Sequence, residues 1–457
     1  MKNSSIRDSA VLRMCIVAVL GLMLLVPVSF VSQLIGDREK TRDNALREVT
    51  EKWGAKQTIT GPILTIPIKR TVMTKDDTVK TFVEFAHFLP DSLTLQIGLS
   101  PEIRYRGIYR VALYNAQLIV EADFQTSLLE ENVAALLDVV RKEPFVDAEI
   151  IWKDAFFTFG ISDLKGVKGM SCIGPGQQPL IPEPGLRTKD LVQTGLTFRM
   201  PLSPSQNPGH LKFELSVNGS EEIRIVPLGK VTKAVAHSSW GAPSFIGDFL
   251  PEQREITDSY FSASWNVLHL NRNLPQAWIG PQQSLQTPSF GVKLLLPVDE
   301  YQKNLRAVKY AVMFIGLTFL AFFVIDILSR SPFHPIHYTL VGFALILFFV
   351  LLLSISEHIT FNSAYMIASL PVILLISMYT RGITGRWPLT AMVTGILAIL
   401  YGLLFMLLQL EDYALLLGSI SLFVSLAAVM YLTRRIDWFG LGKMKGSETA
   451  CSSDKPL

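Results

Sequence analysis

Val11-Leu-Arg-Met-Cys-Ile-Val-Ala-Val-Leu-Gly-Leu-Met-Leu-Leu-Val-Pro-Val-Ser-Phe-Val-Ser32 is an apolar run broken only mildly by Pro27. A helix needs roughly 20 apolar residues to cross a bilayer, and this run suffices. It outlasts a signal-peptide core, roughly 15 residues at most, and Val-Ser-Phe-Val-Ser-Gln is a poor small-residue cleavage site. An uncleaved span over 11–33 is therefore expected, with residues 1–10 before it. No comparable run follows until the far end of the chain, where five come together: Ala307–Leu328, Thr339–Ile355, Ala364–Tyr379, Leu389–Leu410 and Tyr413–Leu432. Asp37 to Arg306 between them is polar. The layout predicts an α+β membrane protein: one N-terminal transmembrane helix, a large β-rich domain over 34–306, a five-helix bundle over 307–432 and a tail over 433–457.

Orientation follows from the short connections, where Lys and Arg favour the cytoplasmic side. With the N-terminus inside, the inner segments carry Lys2, Arg7 and Arg13; Arg330; Arg381 and Arg386; and Arg434, Arg435, Lys443 and Lys445. The outer short loops carry Glu357 and His358, then Glu411 and Asp412, and no Lys or Arg. Six spans with both termini inside are expected, which places the large domain outside. The net charge of +3 is small and argues against a nucleic-acid partner. Three cysteines, Cys15, Cys172 and Cys451, provide no disulfide framework.

In the large domain, Leu46, Val49 and Trp53 give a charged segment one apolar stripe, predicting a helical stalk. Strand patterns begin at Thr58 and recur at Thr81–Phe88, Ser92–Ile97, Gly107–Tyr114, Leu118–Ala122, Thr232–Ala236, Tyr260–Leu268 and Phe290–Leu296. Leu211–Val217, Asn218-Gly219 and Glu222–Val226 read as a hairpin, because Asn-Gly supplies the positive φ angles of a tight turn. Ser127-Leu-Leu-Glu130 resembles a helix-capping box before the apolar face of Leu129, Val133, Leu136, Leu137 and Val140. The Pro- and Gly-rich residues 174–185 read as a linker or long loop, which splits the domain into two lobes near 173–187. Trp53-Gly-Ala and Phe88-Leu-Pro-Asp are echoed by Trp240-Gly-Ala and Phe249-Leu-Pro-Glu, a hint of duplication.

The C-terminal half carries longer signals: Phe290-Gly-Val-Lys-Leu-Leu-Leu-Pro-Val-Asp-Glu-Tyr-Gln-Lys, His334-Pro-Ile-His-Tyr-Thr-Leu-Val-Gly and Leu351-Leu-Leu-Ser-Ile-Ser-Glu-His-Ile. Arg104-Tyr-Arg-Gly-Ile-Tyr-Arg, Gly160-Ile-Ser-Asp-Leu-Lys-Gly and Pro243-Ser-Phe-Ile-Gly support them in the large domain. In this order they resemble the CreD family of bacterial inner-membrane proteins, from Trp53 to about Tyr379. The resemblance implies a multi-pass protein of the inner (cytoplasmic) membrane with its large domain periplasmic. It also implies output of the Cre two-component system and ties to envelope integrity, colicin tolerance and β-lactam response. It implies no catalytic residue or ligand.

The candidate residues are few. Asp326 and Arg330 are four apart near the inner end of the second span, a spacing that shares a helix face. An ionisable group inside a span is a functional candidate by default, against the plainer reading of a salt bridge at the headgroups. Glu357 and His358 end the third span outside, as a proton gate, as a contact for the large domain, or as a polar terminus only. His334 and His337 are too few for zinc, which takes three or four ligands. Ser162-Asp-Leu-Lys165 matches the S-x-x-K nucleophile pattern, but no Lys-Thr-Gly accompanies it, so a polar turn is the better reading. Tyr105 to Arg110 sets basic and aromatic residues on one strand, for an anionic envelope component or for cross-strand packing.

The expectation is a non-enzymatic protein with no cofactor. Its large domain binds or stabilises an envelope component, and its partners are the lipid bilayer and an unidentified envelope component or membrane protein. The alternatives are a transporter or lipid handler built on the bundle, which calls for midplane polar groups, and a periplasmic hydrolase.

Overall fold

A computed structural model describes residues 10–73, 79–125, 131, 133–136, 146–190, 192–204, 208–281, 288–296, 300–329, 334–410 and 414–434. The chain divides into a helical unit, residues 1–41 with 298–457, and a β unit, residues 42–297.

Helix α1 (Ala10–Met23) passes through Leu24 into α2 (Leu25–Trp53). Pro27 has no N–H to donate and lies three residues past this junction, across which helical bonding continues from Leu24 N–H to Leu20 O and from Val28 N–H to Leu24 O. The expected stalk is the charged second half of α2, and Leu46, Val49 and Trp53 are its half-buried stripe. Gly54 ends the helix at φ +147°, and a Cβ there would stand 2.5 Å from Asn218 O.

The strands follow. They are β1 (Gln57–Met73), β2 (Val79–Phe88), β3 (Ser92–Arg106), β4 (Tyr109–Phe124), β5 (Val146–Ile150) and β6 (Phe156–Ile161). Next come β7 (Val167–Ile173), β8 (Pro179–Leu180), β9 (Pro182–Pro184), β10 (Gly195–Arg199), β11 (Gly209–Ser220) and β12 (Glu222–Ile225). The last are β13 (Val231–Ser238), β14 (Pro243–Gly247), β15 (Gln253–Thr257), β16 (Tyr260–Leu268), β17 (Ala277–Ile279) and β18 (Phe290–Leu294). Among the described residues they form two sheets. The first runs β14-β18-β12-β1-β6-β10-β9, with β2 and β5 added beside β1 and β17 beside β2; the second runs β15-β16-β13-β3-β4-β11-β7-β8.

The two sheets share one core. Alternate residues of β3, β13 and β16 are buried, the period-2 pattern of a sheet with one dry face. Aromatic pairs cross between the sheets: Phe124 with Phe157, Phe159 and Phe198 with Phe213, and Trp265 with Phe290.

Two expectations change here. The Asn218-Gly219 hairpin does not form. Both residues continue β11, opposite Asn115 and Tyr114 of β4, and the chain then crosses to the other sheet as β12. The positive φ falls on Glu221 instead, at 59°. Gly219 serves space rather than a turn, since a Cβ there would lie 2.2 Å from the buried Tyr114 hydroxyl, which donates to Glu222 O at 2.8 Å. Nor do residues 173–187 separate two lobes. Strands before and after them enter both sheets, and the segment itself supplies β8 to one sheet and β9 to the other. The helix after Ser127 is described only at residues 131 and 133–136, where Val133 is buried and Leu136 packs on the core; Ser127, Glu130 and the rest of its apolar face lie outside the described residues.

The echoed motifs mark equivalent places. Each Trp-Gly precedes a strand of the first sheet, β1 or β14; each Phe-Leu-Pro then leads into a hairpin of the second, β3–β4 or β15–β16. The chain returns as β6 beside β1 and as β18 beside β14. The acids that close the two motifs donate alike, Asp91 N–H to Asp123 O and Glu252 N–H to Ser264 O.

In the helical unit, α3 (Glu300–Lys309) meets α4 (Ala311–Ser329) at a 43° bend. The straight span expected from Ala307 is therefore broken at Tyr310, whose N–H is shared between the carbonyls of Arg306 and Ala307, a local tightening of the helix. Then come α5 (Pro335–Ser356), α6 (Phe361–Thr384), α7 (Trp387–Gln409) and α8 (Ala414–Thr433). Among the described residues four helices are long and apolar enough to cross a membrane, or five with the bent pair as one. In α8 the apolar helix described is Leu416–Ala427, shorter than a span. The first helix is more than a tether. Leu24, Val28, Val31 and Ile35 form a buried stripe, and Leu24 packs where Gly342 of α5 lacks a side chain.

Candidate functional site

Each unit holds one notable polar cluster, and the helical unit also holds a buried acid. Glu357 follows the last turn of α5. Its Oε1 accepts from the Tyr301 hydroxyl at 3.0 Å and stands 3.9 Å from Arg38 Nε. One turn along α3 from Tyr301, the buried Asn304 donates to Ser356 Oγ at 2.8 Å. Tyr301 and Asn304, three apart, share the buried face of α3 with Ala307 and Val308. The cluster joins α2, α3 and α5, and its polar groups satisfy one another in place of water. His358 is exposed beside it.

Asp326 is buried in α4, and its Oδ2 stands 3.8 Å from Arg13 Nη1 of α1. The expected partner, Arg330, lies outside the described residues. His334 Nδ1 accepts from the Ile336 N–H at the start of α5, and His337 Nδ1 is 2.7 Å from the Tyr379 hydroxyl. Among the described residues no group of three or more His, Cys, Asp or Glu is placed to hold a metal ion.

In the β unit the S-x-x-K serine is tied into the backbone. Ser162 Oγ donates to Lys56 O at 2.9 Å and accepts from the Thr58 N–H at 2.8 Å, while Asp163 caps the turn. Arg104 lies 4.2 Å over the Trp53 ring and Arg106 pairs with Glu48, so these two arginines hold the β3–β4 hairpin to the end of α2.

The second cluster was not anticipated from the sequence. Trp278, His87, Thr65 and Phe156 stand opposite one another on β17, β2, β1 and β6, on the face of the first sheet away from the core. Residues 186–190 and 192–194 run over that face: Arg187 lies over Phe156, Val192 fills the space above Gly160, and Asp190 reaches His87. Thr65 Oγ1 is 3.1 Å from His87 Nδ1, and Asp190 Oδ2 is 3.4 Å from Nε2, an electrostatic contact too poorly aligned for a hydrogen bond. Burial pushes the imidazole down to about 4, against the smaller upward pull of Asp190. The order Thr, His, Asp resembles a nucleophile relay, but Thr65 and His87 are both 0% exposed, so no substrate reaches the hydroxyl. The visible signal was a histidine in an alternating apolar strand, which reads equally well as a satisfied core residue.

Comparison with known proteins gives one consistent result. The family model described as inner membrane protein CreD matches residues 9–439. The inner membrane protein CreD of Escherichia coli (strain K12) is 33% identical over 444 residues, covering 95% of each chain.

Proposed function

Because the chain belongs to the CreD family of inner membrane proteins, we propose that it supports the integrity of the bacterial cell envelope and catalyses no reaction itself. The β unit is periplasmic and binds or stabilises an envelope component; the helical unit crosses the membrane six times, with both termini in the cytoplasm, and holds that unit. One observation carries this reading. The chain enters the β unit through α2 and leaves it toward α3, and residues of both helices, Arg38 and Tyr301, meet the single carboxylate of Glu357. A load on the β unit thus reaches the bundle through two segments clamped at one point.

Transport is the weaker reading. Described polar side chains inside the bundle are largely hydroxyls spent on backbone carbonyls, as Thr318 on Phe314 O, Tyr365 on Tyr401 O and Thr380 on Ile376 O. Asp326, Glu357 and Arg381 stand toward helix ends, whereas ion-coupled transport uses charges at midplane.

The test is a chromosomal deletion challenged with β-lactams, detergent and bile salts. The full chain should restore resistance, and Glu357→Gln, at equal abundance, should restore less. A deletion strain as resistant as its parent would remove the envelope reading. Full rescue by Glu357→Gln would remove the clamp.

A further inference from the structure

Residues 186–190 lie on the outer face of the first sheet without belonging to it. Among the described residues no backbone hydrogen bond ties them to a strand, and the Asp190 N–H turns back on Thr188 Oγ1 at 3.2 Å. Their root is pinned, because Thr197 of β10 donates to Gly185 O at 2.9 Å. Beyond it side chains do the holding. Arg187 stands 5.3 Å over the Phe156 ring, and Asp190 Oδ2 is 3.4 Å from His87 Nε2. The imidazole beneath has no exposed surface, and its Nε2 has no hydrogen-bond partner. A charged ring in that position would be desolvated and unbonded, so His87 is neutral while it is covered. Thr65 of β1 and Trp278 of β17 flank it and carry no charge. Asp190 is the charged group that faces it; on the same segment Arg187 is engaged on Phe156 and Lys189 is exposed, and on β2 itself Glu84 is paired with Arg70.

We propose that residues 186–190 form an acid-released strap: protonation of His87 lifts them from the sheet and uncovers the row Trp278, His87 and Phe156. Lifting takes Asp190 away and admits water to the ring. The open state then binds a proton near the ordinary 6.5, whereas the covered ring, held down by burial, binds one only near 4. Protons therefore favour the open state as pH falls below 6.5. Linkage multiplies its population about 20-fold between pH 7 and pH 5, and changes it little above pH 7. A segment without backbone bonds to the sheet can open while the ladder under it stays intact. The strap thus alternates an aromatic surface between covered and exposed, and the proposal is independent of the envelope reading.

The test is thiol trapping in the full chain in detergent. Thr158 of β6 sits between Phe156 and Gly160, which Arg187 and Val192 cover. It is buried and its hydroxyl has no hydrogen-bond partner, so Thr158→Cys breaks no bond. Labelling by dithiodipyridine is followed by mass spectrometry at position 158 and at the natural Cys172, which lies in the core between the sheets. Each rate is divided by that of the urea-unfolded chain at the same pH, which removes the ionisation of the thiol. The normalised rate at position 158 should rise about 20-fold from pH 7 to pH 5 and should exceed that of Cys172, which only opening of the core exposes. With His87→Gln added, it should stay within about twofold over the same range. A flat rate in the Thr158→Cys protein overturns the proposal, whether or not the His87→Gln protein folds. So do equal normalised rates at the two thiols, which would make the opening global, and a rise that survives His87→Gln, which would place the titration elsewhere.

Discussion

His87 gives the β unit a built-in acid sensitivity whose sign and size follow from its burial. The folded imidazole binds a proton only near pH 4, while in the unfolded chain it does so near the ordinary 6.5. Between those values the unfolded state holds more protons, so stability is fully present above pH 6.5 and drains as pH falls toward 4. Linkage puts the loss between pH 7 and pH 5 at about 2 kcal/mol, with a limit of about 3 kcal/mol once both states are protonated. No discount for screening applies, because the ring has no exposed surface. Urea unfolding of the full chain in detergent can follow tryptophan fluorescence. Five of the seven tryptophans, Trp53, Trp152, Trp240, Trp265 and Trp278, lie in the β unit, and Trp278 has its ring centroid 5.4 Å from that of His87. The wild-type midpoint should fall between pH 7 and pH 5, and His87→Gln, though less stable at pH 7, should lose most of that dependence. Parallel declines in the two proteins would refute the reasoning and move the titration elsewhere.

Three further outcomes are expected. Gly219→Ala forces a methyl against the Tyr114 ring and should cost at least about 2 kcal/mol, from overpacking plus the strained Tyr114–Glu222 bond, read as faster hydrogen exchange in β4 and β11. Asp326→Asn leaves Arg13 facing a neutral side chain and should lower the melting temperature in detergent by the equivalent of about 2 kcal/mol, below the full cost for a buried pair because Arg13 is 36% exposed. Tyr105→Cys places a thiol at a 70% exposed position that a membrane-impermeant maleimide should label in intact spheroplasts; the natural Cys172 is buried, its thiol pushed up to about 12, and should stay silent.

Much of the fold was legible because it rests on periodicity. Strand after strand of the β unit falls where apolar and polar residues alternate, and the apolar runs became helices. What failed was local turn chemistry set against a distant neighbour. Asn218-Gly219 has the composition of a tight turn, yet Tyr114, on another strand, requires a residue without a side chain opposite it, and the chain spends the glycine there. The Pro- and Gly-rich segment misled in the same way. Its prolines suit short strands at the ends of two sheets, where a missing N–H breaks no ladder, as well as they suit a linker. The paired Trp-Gly and Phe-Leu-Pro echoes carried more than their spacing showed, because each pair stands at a corresponding strand and hairpin although the loop lengths between them differ.

The candidate sites were legible one residue at a time and illegible as assemblies. Helical spacing names only neighbours on the same helix, so Asp326 pointed to Arg330. A buried carboxylate, however, is stabilised by whichever cation the packing brings near, and here α1 brings Arg13 from more than 300 residues away. The arginine that read as a flank of the first span is thereby a constituent of the bundle. Glu357 repeats the case at the other end, where Arg38 and Tyr301 meet because α2 and α3 pack beside the end of α5. Each pairing joins the first helix to the later ones, and the buried stripe from Leu24 to Ile35 does the same with apolar contacts. The first span is therefore fitted to its bundle at both ends and along its length. An unrelated apolar helix would satisfy the bilayer, but it would leave the pocket at Gly342 empty and Asp326 without Arg13.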